Sequence, residues 1–476
     1  MKTKQICQCI SILSLLLFPL INQAADITAT ASGSWSDTNI WSSGTVPGAN
    51  DDADIPAGIN VTVDTNVTVQ FIYDSGTVTM APNSALNLTF DAAISPATTL
   101  ITTATGNTVI YSANPFGAKQ GNYYNLVFAT TNYTDPFPPF VPWQDFNNFS
   151  SAAGPTPMTI AGNMTLMGSV KVQQGSGGAP ITIGGNLIIG KGCAWDCSGD
   201  NLTVASNLFI YGLLEDLNGA IGTNHFGGKV IVAGPGTHAL NYNGGTYTNG
   251  WFVSDVTTWG VGGSLTNNGA IFGKGYGSII FEGAGTITGT NALTLPTITV
   301  NGTYAVDTTI TLTTNTPTLN GTLVFDIAST NRIVLPAYVG TALYYDGNLN
   351  VTNTGAAPLS GNSYKFFTAP SFGGTFSSTT FPSLPGGLSW VDHLAASGSI
   401  SVSGPSGSPV LSLSKSGVLL TLSWDSTTFP GYRVQAQTNS SGIGTNWSAT
   451  SGSTVSPFTI PINPANRAVF FRLSNP

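Results

Sequence analysis

Three stretches of the chain copy one another. Met158-Thr159-Ile160-Ala161-Gly162-Asn163-Met164-Thr165-Leu166 aligns with Ile181-Thr182-Ile183-Gly184-Gly185-Asn186-Leu187-Ile188-Ile189. It aligns again with Leu202-Thr203-Val204-Ala205-Ser206-Asn207-Leu208-Phe209-Ile210, and the spacings are 23 and 21 residues. A unit of this length holds two short strands about a Gly-Asn corner and cannot bury its own apolar side, but it can when stacked on copies of itself. The spacing predicts rungs about 4.8 Å apart, with Asn163, Asn186 and Asn207 in one column. Their amides are expected to bond from rung to rung and to cap the corner backbone, with the adjacent glycine supplying positive φ. Ile298-Thr299-Val300-Asn301-Gly302 and Gly347-Asn348-Leu349-Asn350-Val351 are weaker echoes. The expected fold is all-β, a right-handed parallel β-helix (solenoid). The alternative is a β-sandwich with coincidental spacing.

Local patterning agrees. Val61-Thr62-Val63, Val67-Thr68-Val69 and Leu86-Asn87-Leu88 alternate with period two, as half-buried strands do, and Gly- and Asn-rich punctuation divides them. The 57 Gly and 28 Pro, with only 7% charged residues, exclude a coiled coil or long helical bundle. A hydrophobic content of 41% argues against disorder.

Lys2 and Lys4 precede an apolar run over Ile10–Ile21 that ends in Asn22-Gln23-Ala24-Ala25. A basic start, a short apolar core and small exit residues predict a secretory signal peptide over 1–25, so the protein is expected to be secreted or at the cell surface. The run is too short for a stable membrane span, and none is expected in the mature chain. Losing Lys2 and Lys4 takes the formal net charge from −8 to −10. The remaining basic residues are scattered, which argues against nucleic acid and anionic lipid as partners. Cys193 and Cys197 are the cysteines left after export. An exported chain makes a local disulfide the first expectation; free buried thiols and a metal site are the alternatives.

Trp35 and Trp41, Val46-Pro47-Gly48, Asp51-Asp52, Ile55-Pro56-Ala57-Gly58 and Val61-Thr62-Val63-Asp64 form a recognisable series. It resembles the opening of secreted bacterial autotransporter-like and G8-type β-helical proteins. The resemblance implies an N-terminal cap and first coils over 26–100, with the two Trp plugging the mouth of the solenoid. Asp51 and Asp52 are then expected to satisfy turn amides. Farther on, Tyr364-Lys365-Phe366-Phe367, Gly374-Thr375-Phe376, Leu388-Ser389-Trp390 and Gly398-Ser399-Ile400-Ser401-Val402 resemble the closing stretch of autotransporter passenger repeats. Only 74 residues follow Val402, too few for the translocator barrel of that family. The solenoid is therefore expected over 101–403 and a linker over 404–409. Leu422-Ser423-Trp424, Gly431-Tyr432-Arg433, Asn446-Trp447 and Phe470-Phe471-Arg472-Leu473 mark a small β-sandwich-like module over 410–476, which resembles one found in secreted Verrucomicrobia-type proteins.

Catalytic patterns are sparse. Glu215 and Glu282 are the only glutamates, and Glu215-Asp216 reads as a solvated turn. Asp196 and Asp200 could share a groove. No Gly-x-Ser-x-Gly elbow accompanies His225, His238 and His393. Gly273–Gly277 reads as a turn and not a phosphate loop, for want of a helix. Asp51, Asp52 and Asp54 are a weak calcium candidate; no other metal and no cofactor is expected. The segment within 132–157 concentrates aromatic rings and prolines without strand periodicity. Tyr133, Phe137, Phe140, Trp143 and Phe146, with Trp251 and Trp259, are the candidate glycan-binding rings, since aromatic faces suit the C–H side of a pyranose. The alternative is that these rings cover an apolar face of the solenoid. The expected function is a non-enzymatic extracellular surface or matrix protein that binds polysaccharide or mediates adhesion. A polysaccharide lyase or glycoside hydrolase on the same scaffold, and a purely structural outer-layer protein, are the alternatives.

Overall fold

The computed structural model describes residues 25–90, 94–112, 119, 121–130, 144–145, 157–168, 170–173, 180–196, 201–216, 223–232, 239–242, 245–248, 251–254, 258–273, 278–385, 387–404 and 407–474. The chain divides after Tyr133 into two compact units. In both, the described residues are almost entirely strand, turn and bend, with one short 3-10 turn and one four-residue helix.

In the first unit parallel pairing begins at once. Asp26–Thr28, Asp52–Asp54 and Phe71–Tyr73 form one sheet, and Gly33–Ser34, Asn60–Val63, Thr77–Met80 and Thr99–Ile101 a second. Asn66–Val69, Ala85–Leu88, Thr108–Tyr111 and Asn125–Thr130 run side by side in a third. Each pass of the chain thus adds one strand to each face. Alternation sets the burial: Val61, Val63, Val78, Met80, Leu86 and Leu88 are buried while the residues between them are not. At the first pass Trp35 and Trp41 are both buried, edge to face with centroids 4.9 Å apart. Trp41 Nε1 donates to the Trp35 carbonyl at 2.9 Å. Asp64 accepts from the Ser36 N–H and hydroxyl, tying the first pass to the second.

The second unit repeats this wiring. Met158–Ile160, Ile181–Ile183, Leu202–Val204, Thr223–Phe226, Thr258–Val261, Ser278–Phe281, Thr297–Val300 and Thr318–Leu319 stack in one parallel sheet. A second parallel sheet includes Met164–Gly168, Leu187–Ile189, Leu208–Ile210, Val230–Val232 and Leu265–Asn267 and continues to Ser378–Thr380. A third runs from Gln144–Asp145 through Ala194–Asp196, Leu213–Asp216 and Trp251–Ser254 to Phe367–Thr368. The ladders pair Met158 with Ile181 and Ile181 with Leu202, and Met164 with Leu187 and Leu187 with Leu208, the alignment read from the repeat.

The asparagine column is present. Asn163 Oδ1 accepts the Asn186 N–H at 2.8 Å, and Asn186 Oδ1 accepts the Asn207 N–H at 3.0 Å. Asn207 Oδ1 accepts the N–H of Lys229, which takes the next place, at 2.9 Å. The role expected of the glycines needs correction. Gly185 is not among the positive-φ residues; a Cβ there would lie 2.5 Å from Asn163 Oδ1 and 2.6 Å from the Gly162 carbonyl. Close approach, not backbone hand, demands glycine. A longer column obeys the same rule: a Cβ on Gly262, Gly283, Gly302 or Gly321 would fall 1.7–2.6 Å from the carbonyl oxygen of the glycine one rung before.

Toward the end of the sheets, Ser399–Ser403 pairs antiparallel with both Ser363–Lys365 and Ser389–His393. Beyond it lie two antiparallel three-stranded sheets. Leu419–Ser423 is central in one and Arg433–Thr438 in the other. They share a core of Leu422, Trp424 and Val434, packed by Tyr432, Phe458, Phe471 and Leu473.

Candidate functional site

Of the aromatic residues proposed from sequence, Tyr133, Phe137, Phe140, Trp143 and Phe146 lie outside the described residues. Trp251 opens the strand Trp251–Ser254, in register between Leu213 and Ala270. Trp259 is corrected: it is fully buried, its ring stacked on Phe226 with centroids 5.4 Å apart. It fills the interior and offers no face to a ligand, because its strand Thr258–Val261 turns that position inward.

Cys193 is a buried free thiol. Burial pushes it up to about 12, so it is protonated and inert at neutral pH. Its expected partner Cys197 lies outside the described residues. The acids Asp51, Asp52 and Asp54 do not gather into a metal site; among the described residues no cluster of three His, Cys, Asp or Glu can hold an ion. Asp51 instead caps a turn, accepting the Gly48 N–H at 2.8 Å. Asp52 stands in register beside Asp26. Burial, then the charges of Asp26 and Asp51, raise its carboxyl above the ordinary value. Glu215-Asp216 is likewise corrected from a turn to the end of the strand Leu213–Asp216, and Glu215 pairs in register with Asp196. Asp200 lies outside the described residues. Among the described residues there is one ion pair, His225 Nδ1 to Glu282 Oε2 at 3.5 Å, both side chains nearly half exposed. It forms across Gly260, where a Cβ would sit 2.8 Å from the His225 ring.

The feature that sequence reasoning missed lies on the outer side of the second sheet. Leu187 and Ile189 point inward and are fully buried, which turns Ile188 outward. The same parity turns out Phe209 on the next rung and Ile231 on the one after, and the three are in register. Phe209 and Tyr211 hold their rings parallel to within 2°, centroids 6.4 Å apart. Tyr211 and Met167 are 38% and 47% exposed, so the strip is open to solvent. Thr165 and Thr266 close its ends in the same register. The only signal in the sequence was that Leu187-Ile188-Ile189 and Leu208-Phe209-Ile210 are apolar at all three positions, one more than a strand with a single buried face needs.

Chemically the strip is a flat aliphatic and aromatic surface, edged by hydroxyls and by the amides of the asparagine column, with Lys229 nearby as the cationic residue of the adjoining rung. What such a surface offers is dispersion contact and apolar area that can be desolvated.

No protein-family model, no curated protein and no solved structure matches this chain.

Proposed function

We propose that this protein is an exported, non-catalytic extracellular surface or matrix protein whose solenoid holds polysaccharide. In this reading the coils wind right-handed, the buried Trp35–Trp41 pair belongs to an N-terminal cap, and the last two sheets are a sandwich-like module. The resemblance to autotransporter-like and G8-type proteins supports the same picture. The observation that carries the function is the outward strip of Ile188, Phe209, Tyr211 and Ile231. It leaves aromatic rings in water on a rigid ladder, where folding alone would favour Thr or Ser. A pyranose can lay its C–H face on those rings at little ordering cost, since the sheet already holds them in place.

The test is binding of the mature chain to a glycan array and to insoluble polysaccharides. Changing Phe209 and Tyr211 together to Ala is expected to weaken retention by roughly fivefold or more, at about 0.5–1.5 kcal/mol per aromatic contact. Retention unchanged in that variant, or none by the parent chain, removes the reading.

One observation favours the rival enzyme. Asp196 and Glu215 hold partner positions on adjacent strands, and a pair of carboxylic residues is what glycoside hydrolysis uses. Reducing-sugar release that disappears in Asp196→Asn or Glu215→Gln would establish that reading in place of ours.

A further inference from the structure

Near the last rungs, beside the short helix Leu394–Ser397, lies a cleft of about 330 Å³. Its floor is aromatic. The Phe376 ring lies over Tyr345, centroids 4.6 Å apart and planes 26° from parallel. Tyr345 is buried, and its hydroxyl donates to the Leu394 carbonyl at 3.0 Å. It also packs against Phe367 and Phe372. The lower ring is thereby pinned from three sides, so the half-buried Phe376 above it keeps one position.

The rim is polar. Thr375, Thr379, Asp392 and His393 line it, and no Lys or Arg does. Asp392 Oδ1 accepts the Leu394 N–H at 2.7 Å, which holds the carboxylate against the helix. Its second oxygen has no hydrogen-bond partner among the described residues. His393 Nε2 is engaged with the Ser401 hydroxyl at 2.9 Å, so the imidazole is oriented as well. Gly374, Ala395 and Ala396 supply the rest of the wall with almost no side chain, which leaves the space open.

These groups define a ligand class. An anion would meet the Asp392 carboxylate and no Lys or Arg. A purely apolar ligand would strand the free Asp392 oxygen and two hydroxyls, which is unfavourable once water is displaced. A neutral ring with one apolar face and equatorial hydroxyls satisfies both sides. The volume, at the lower end of the roughly 300–1,000 Å³ typical of small-ligand sites, admits one or two such rings. We infer that this cleft is a second saccharide site, taking a neutral pyranose unit with its C–H face on Phe376 and its hydroxyls on Asp392 and Thr379. The inference rests on the reading of this protein as a polysaccharide binder and places a chain end or branch of the glycan here, apart from the Phe209–Tyr211 strip.

The experiment titrates the full chain with methyl glucoside, cellobiose and diacetylchitobiose by ligand-observed NMR, with choline and acetate as charged probes. At least one neutral saccharide is expected to bind. Ala396→Trp, a change at an exposed residue that fills the cleft, should abolish binding while leaving the circular dichroism melt unchanged. Phe376→Ala and Asp392→Asn should each weaken it about tenfold, and the Phe209→Ala/Tyr211→Ala double variant should leave it intact. Absence of saccharide binding, binding that survives Ala396→Trp, or choline binding lost in that variant each overturns the inference. Polysaccharide retention that depends on the strip alone would overturn the cleft and keep the proposed function. Cleft binding with no polysaccharide retention would do the reverse.

Discussion

Asn186 shows how single residues hold this fold. Its Oδ1 accepts from the Asn207 N–H, the Asn207 side-chain amide and the Ser206 hydroxyl, all at 3.0 Å. Asn186→Ala strands those donors at a partly buried corner, so a loss of about 1–3 kcal/mol in unfolding free energy is expected by denaturant titration. The glycines beside the column are needed for a different reason. A Cβ at Gly302 would lie 1.7 Å from the Gly283 carbonyl oxygen, whereas at Gly44 it would meet nothing within 4 Å despite φ +70. Gly302→Ala is therefore expected to yield little folded protein. Gly44→Ala should fold and lose only about 1 kcal/mol. Equal melting of the two variants would refute the close-approach account.

Between elements, two carboxylates act in opposite senses, one as a staple and one as a buried burden. Asp326 ends the strand Thr322–Asp326 and accepts from the Ala328 N–H in its own turn, then from the Thr354 N–H and hydroxyl one rung on. Burial disfavours its charge, but these hydrogen bonds outweigh that and hold the carboxyl below the ordinary value. Its contribution is present above the unfolded-state pKa of about 3.9 and is lost as pH falls through the lower folded value. Asp52 runs the other way. With its pKa raised, its contribution is complete below the unfolded value and disappears as pH rises through the folded one. Thermal melts should thus show Asp52→Asn more stable than the parent at pH 7 and indistinguishable from it near pH 3. Asp326→Asn should be less stable at pH 7 and converge with the parent in acid. A reversed order at pH 7 would refute both assignments.

At the scale of the whole molecule, neutral contacts dominate. With 7% charged residues and one ion pair among those described, screening has little to act on. The melting temperature is expected to move by only a few degrees between 50 mM and 1 M NaCl; a steep fall would mean that unrecognised charge pairs carry the fold. Much of this architecture was legible in the chain itself. The repeat of Ile-Thr-Ile and Gly-Asn-Leu units already implied rungs, register and the asparagine column, because a two-strand unit can hide its apolar side only against its own copy. What stacking alone decided was parity and proximity. Trp259 and Phe209 both lie in short β-forming stretches, yet one faces the core and the other water. A run such as Leu208-Phe209-Ile210 is apolar on both sides of the strand, so only the neighbouring rungs select which side is buried. The cleft under Asp392 joins residues from 345 to 396, and the glycine column joins carbonyls and α-carbons from successive rungs. Periodicity along the chain specifies the spacing of a rung; it carries no record of which atoms meet once the rungs are stacked.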